Sequence, residues 1–107
     1  MANGVIIPNG NAILTYTDSM SVALANAKSF IVMVGKGTFN SNPVALSLTI
    51  PIDALEATSR YFEVSDAYNS GADLHLQASV SKTQASNIAL LNGASHISDE
   101  AFEYYYI

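Results

Sequence analysis

Val44-Ala45-Leu46-Ser47-Leu48-Thr49-Ile50-Pro51-Ile52 is the stretch on which the fold turns. Its apolar residues fall on every second position, and the positions between are small or polar, with Pro51 closing the run. In a strand, residues i and i+2 share a face, so Val44, Leu46, Leu48, Ile50 and Ile52 line one side. Wound as a helix, the same five residues would spread around the cylinder. The stretch reads as a strand with one face in the core.

The same period continues on either side. Asp73-Leu74-His75-Leu76-Gln77-Ala78-Ser79-Val80 alternates again, with Leu74, Leu76, Ala78 and Val80 inward. Phe30-Ile31-Val32-Met33-Val34 is apolar on both faces and rich in β-branched residues. Ended by Gly35-Lys36-Gly37, it reads as a central strand covered on both sides. Residues 12–17, 20–24, 60–64 and 87–91 are further strand candidates, and 102–107 read as an aromatic-rich last strand. Asn9-Gly10-Asn11, Asn40-Ser41-Asn42-Pro43, Asn69-Ser70-Gly71 and Asn92-Gly93 supply turn residues between them. One helical turn is expected near 53–59, where Asp53 caps Ala54-Leu55-Glu56-Ala57. Residues 19–27 suit either a strand or a helix.

Seven or eight short strands in so short a chain predict an all-β fold, a single antiparallel β-sandwich of jelly-roll or immunoglobulin-like type. A small closed barrel is the alternative architecture. Residues 1–11 form an N-terminal arm or a first edge strand, and 12–107 form the sandwich domain.

At 107 residues the chain has room for one core. Half of it is hydrophobic and only 12% is charged, which excludes intrinsic disorder. No apolar run approaches the ~18 residues of a membrane span. The net charge is −5, and the four cations, Lys28, Lys36, Arg60 and Lys82, stand singly. Phosphate backbones and anionic lipid are held by clustered cations, so neither nucleic acid nor membrane is an expected partner. Cysteine is absent, which removes disulfides, zinc-thiolate sites and thiol nucleophiles. The start of the sequence lacks the cationic and apolar regions of a signal peptide, so folding in a cytoplasm is expected.

The chemistry-bearing residues are few. His75 lies on the polar face of its strand between Asp73 and Gln77, and the expectation is a solvent-exposed histidine in a shallow polar row. No nucleophile elbow accompanies it, so no catalytic residue is expected. Residues 66–73 hold oxygen donors around a glycine but do not match a calcium loop, and read as a β-connection. Gly35-Lys36-Gly37 lacks the spacing of a phosphate loop. Asp99, Glu100 and Glu103 read as a solvated acidic face. No metal or cofactor is expected.

Among the aromatics, Tyr104 and Tyr106 share the face of Phe102, and Tyr105 points the other way. A strand cannot bury all three against one core, so Tyr105 is the contact candidate; rigid amphipathic tyrosine suits such a surface. Tyr105, Tyr68, His75 and Asp73 are the candidate contact residues. Few charges and few edge lysines predict association, as a homo-oligomer with a trimer favoured.

The succession Phe30-Ile31-Val32-Met33-Val34, Leu48-Thr49-Ile50-Pro51-Ile52, Arg60-Tyr61-Phe62-Glu63-Val64 and Tyr104-Tyr105-Tyr106-Ile107 resembles the terminal modules of bacteriophage tail proteins. The resemblance runs from about Ile13 onward and is one of rhythm, with no functional motif to transfer. It implies location in a virion and partners among capsid or tail proteins, with a possible role in host attachment. Fibre proteins usually carry a long trimerising shaft before the head, and the dozen or so residues ahead of the first firm strand are not expected to act as one. A capsid decoration, fibre-tip or baseplate-associated subunit is the expectation. The competing expectation is a carbohydrate-binding β-sandwich module, using exposed tyrosine rings and Asp or Asn hydrogen bonds to a glycan; such modules often carry exposed tryptophan, which this chain lacks.

Overall fold

The deciding stretch does form a strand, β4 (Asn42–Pro51), with Val44, Leu48 and Ile50 buried and Leu46 half-buried. Ile52 leaves the strand for a 3-10 turn (Ile52–Ala54). The computed structural model describes residues 2–8, 10–66 and 73–107. The remaining elements are β1 (Gly4–Ile6), β2 (Ala12–Thr15), α1 (Asp18–Ala25), β3 (Ser29–Phe39), β5 (Arg60–Ser65), β6 (Leu74–Val80), β7 (Gln84–Asn92), β8 (Ser95–His96) and β9 (Ser98–Tyr104).

These strands make two antiparallel sheets packed face to face, a β-sandwich and not a closed barrel. One sheet runs β1-β9-β3-β4, and the other runs β2-β7-β6-β5 with β8 beside the far end of β7. The core lies between them. The first sheet contributes Ile31, Met33, Ile50 and Phe102, and the second contributes Leu74, Leu76, Val80, Ile88 and Leu90, all fully buried. Each comes from the inward parity of its strand, which is the alternation expected of two stacked antiparallel sheets.

Several expectations need correction. Gly35-Lys36-Gly37 does not stop its strand; β3 continues to Phe39. The turn lies at Asn40-Ser41, whose φ values of 48° and 64° are those of a two-residue primed hairpin turn. The two glycines serve close approach of the sheets. A Cβ on Gly35 would lie 3.1 Å from Leu76 Cδ1, and one on Gly37 would lie 2.6 Å from Ile97 Cδ1. Nor is β3 covered equally on both faces: Ile31 and Met33 are buried, while Val32 and Val34 are only half-buried.

Residues 20–24 are not a strand, and the longest helical element is not near 53–59. They belong to α1, eight residues long. The Thr17 side chain accepts a hydrogen bond from the Met20 N–H at 3.3 Å, Asp18 sits in the first turn, and Met20 and Leu24 bury one stripe. Strand-like apolar content in Met20-Ser21-Val22-Ala23-Leu24 is overridden by this cap and by i, i+4 burial.

The aromatic strand also begins earlier than expected, at Ser98, and β9 ends at Tyr104. Beyond it the backbone still bonds to β3, with Val32 N–H donating to Tyr105 O and Ile107 N–H to Ser29 O. Two non-glycine residues of positive φ mark bulges: Asn87 in β7 (φ 51°) and Asp99 in β9 (φ 56°). At the other terminus, β1 pairs with β9, and Ile6 is buried.

Candidate contact surface

The outer face of the β1-β9-β3-β4 sheet is built by register. Val5, Glu103, Val34 and Ser47 form one row across its four strands, and residues paired across strands share a face. Lys36 lies opposite Ala101 and Ala45, and Val32 lies opposite Thr49. Small side chains dominate near β4, and apolar ones near β1 and β9. Val5 is 68% exposed, and Ile107 is 73% exposed.

Tyr105 sits on this face, as expected for a residue of opposite parity to Phe102. Its hydroxyl donates to Glu103 Oε2 at 2.8 Å, and Lys36 Nζ donates to Glu103 Oε1 at 3.1 Å. The two donated bonds, from Tyr105 first and then Lys36, hold the Glu103 carboxyl below the usual carboxylate range. The same bond raises the Tyr105 phenol. The one cation and one carboxylate of these rows are therefore paired with each other. Asn3, Val32, Val34, Tyr105, Tyr106 and Ile107 line a shallow groove of about 450 Å3 beside them.

His75 and Asp73 belong to the opposite face of the sandwich, on the outer side of β6. The candidates therefore do not form one site. His75 is not solvent-exposed: only 8% of its surface is accessible. Strand β6 is interior to its sheet, and Leu91, itself buried, lies directly across from His75. The ring nitrogens are 3.2 Å from the Asp73 carbonyl oxygen and 3.1 Å from Gln77 Oε1. Tyr68 lies outside the described residues.

Beside this row stands Tyr61 on β5, 57% exposed, which sequence reasoning did not place. Its hydroxyl lies 2.7 Å from Glu63 Oε2 and 3.1 Å from Gln77 Oε1. The bond to Glu63, with partial burial and the charges of Glu63 and Asp73, pushes the phenol up to about 12. Tyr61 and Glu63 stand two apart, so a strand over 60–64 puts them on one face.

The acidic group 99–103 is not one solvated face. Glu103 belongs to the pair described above, while the Glu100 side chain is only 11% exposed. Its Oε1 lies 2.6 Å from His96 Nδ1, and its Oε2 accepts from the Leu90 N–H. A separate apolar pocket of about 340 Å3 lies between α1 and the 3-10 turn, lined by Ser21, Leu24, Ala25, Ile52, Leu55 and Lys82. One wall of it is α1, in a stretch whose sequence suits either a strand or a helix.

Among the described residues no group of three or more His, Cys, Asp or Glu side chains is placed to hold a metal ion. No described helix is long and apolar enough to cross a membrane. Comparison with protein-family models, with curated proteins and with solved structures finds no match.

Proposed function

We propose that the chain is a non-enzymatic structural or accessory protein of a bacteriophage virion, a capsid decoration, fibre or tail-associated subunit that works by protein–protein contact. The observation that carries this reading is the outer face around Tyr105. It joins exposed apolar residues (Val5, Ile107), a rigid tyrosine and small side chains, and its rows spend their only opposite charges on one another. Such a face resembles the centre of a protein interface, where charge is depleted and tyrosine enriched. The rhythm shared with phage tail modules points to a capsid or tail protein as its partner.

The test is mass spectrometry of gradient-purified particles from a lysate producing the chain. The reading expects the protein in particles at fixed stoichiometry, and expects Val34→Lys and Tyr105→Ala to lower incorporation at least tenfold with an unchanged circular dichroism spectrum. Protein found only in the particle-free fraction defeats it. The exposed Tyr61 ring, with Glu63 and Gln77 beside it, favours carbohydrate binding as a second reading. Glycan binding by the free protein, lost in Tyr61→Ala, would favour that reading over the first.

A further inference from the structure

Strand β4 differs from the other described edge strands. It is ten residues long, and no described strand pairs with its outer side. Natural sheets protect such edges with brevity, charge or a bulge along the strand, with proline, or by covering them with a helix or loop. The β1 edge has three residues, and the edge beside β7 is divided between β2, with four, and β8, with two. The β5 edge carries Arg60 and Glu63. Between its terminal prolines strand β4 is long and contains no charged residue, and the one irregularity in its pairing places the extra residue on β3. Prolines stand only near its ends, at Pro43 and Pro51.

We infer that β4 pairs with β4 of a second copy of this chain, antiparallel about a twofold axis at Ser47. Unpaired backbone N–H and C=O groups along an edge are matched by another strand, and the sequence of β4 identifies that strand as itself. Residues that face each other must lie on the same side of the joined sheet, so core-facing positions must meet core-facing positions. Centring on Ser47 does this: Val44 meets Ile50 of the second copy and Leu46 meets Leu48, while Ala45 meets Thr49 on the outer side. The same centre sets Pro43 opposite Pro51, so the residues without N–H groups bound the paired stretch at both ends.

Charge makes the same choice. Each copy carries −5, yet this stretch is neutral, so self-pairing brings no like charges directly opposite. The outward residues Ala45, Ser47 and Thr49 are exposed and small, and offer no steric barrier. A twofold interface closes on itself, giving a dimer with one continuous eight-stranded sheet and not the trimer expected at first. This inference is independent of the virion reading and survives its failure.

The chain has no cysteine, so Ser47→Cys introduces a single thiol at the proposed axis. Mild oxidation of this variant is expected to give a disulfide-linked dimer of twice 11.3 kDa. Val22→Cys, exposed on α1, is expected to crosslink at least tenfold more slowly. A second pair of variants checks the register independently. Ala45→Lys with Thr49→Glu sets opposite charges across the axis, and Ala45→Lys with Thr49→Lys sets like charges there. Light scattering should find the first dimeric and the second monomeric, with at least a tenfold difference in dissociation constant, while circular dichroism confirms that both are folded. A wild-type monomer at high micromolar concentration, equal crosslinking of the two cysteine variants, or equal association of the two charge variants would each overturn the inference.

Discussion

Gly35 and Leu76 meet across the core, and a double-mutant cycle on them tests how closely the two sheets approach. Leu76→Ala removes three buried carbon atoms from a fully buried side chain. At roughly 0.8 kcal/mol for each buried carbon group, the transfer loss is about 2.4 kcal/mol. A partly relaxed cavity adds about 1–2 kcal/mol, for a total near 4 kcal/mol. Gly35→Ala does the reverse, pushing a methyl to 3.1 Å from Leu76 Cδ1 and 3.4 Å from Leu90 Cδ2. Overpacking of this kind costs about 1–3 kcal/mol. In the double variant the new methyl enters space vacated by Leu76, so the costs should fall short of additivity by about 1 kcal/mol. Urea unfolding followed by circular dichroism, at matched protein concentrations, measures all four corners of the cycle. Additivity within ~0.3 kcal/mol would refute the contact and the sheet spacing built on it.

Thr17→Ala should destabilise the protein by about 1 kcal/mol through loss of the α1 cap, with Thr17→Ser restoring most of it; equal stability of both variants in urea unfolding would contradict the cap. Tyr61 titrates near 12 in the folded protein against the usual 10.0, so its neutral form is favoured by folding. Its contribution to stability is therefore intact below pH 10 and lost as pH rises from 10 to 12. Glu63→Gln should return its ultraviolet titration midpoint toward 10, as seen in the difference from wild type; an unchanged midpoint would refute the assignment of cause.

Strands with an undisturbed period were legible in the sequence. Val44 to Ile50 and Leu74 to Val80 keep strict alternation, and both lie in the core as their pattern demands. Legibility failed where a local signal had a tertiary use. Gly35 and Gly37 read as a stop because glycine is common in turns, but here the missing side chains admit Leu76, Leu90 and Ile97 from across the core. In β7 the bulge at Asn87 shifts the inward parity, so Ala85 and Ile88 both face the core and the strand's first half has no visible period. The side-chain environment was legible at Tyr105, whose outward parity against Phe102 follows from alternation along the strand. It was not legible at His75, because burial there depends on Leu91, which the fold brings across from another strand.

The pairing of β1 with β9 also has a consequence for how the molecule is made. Gly4 lies opposite Tyr104, so the order of events on the ribosome is constrained by the order of strands in the first sheet. The β5-β6-β7-β8 run is joined by neighbours in sequence and can assemble as soon as it emerges. Among the described strands β1, synthesised early, pairs only with β9, and β3 lacks its neighbour on one side until β9 exists. Contacts so distant along the chain are slow to close. During that interval the first sheet lacks β9 and with it Phe102, one of the fully buried residues of the core. The first sheet is therefore complete only once β9 has been synthesised, whereas the β5 to β8 part of the second can form before it.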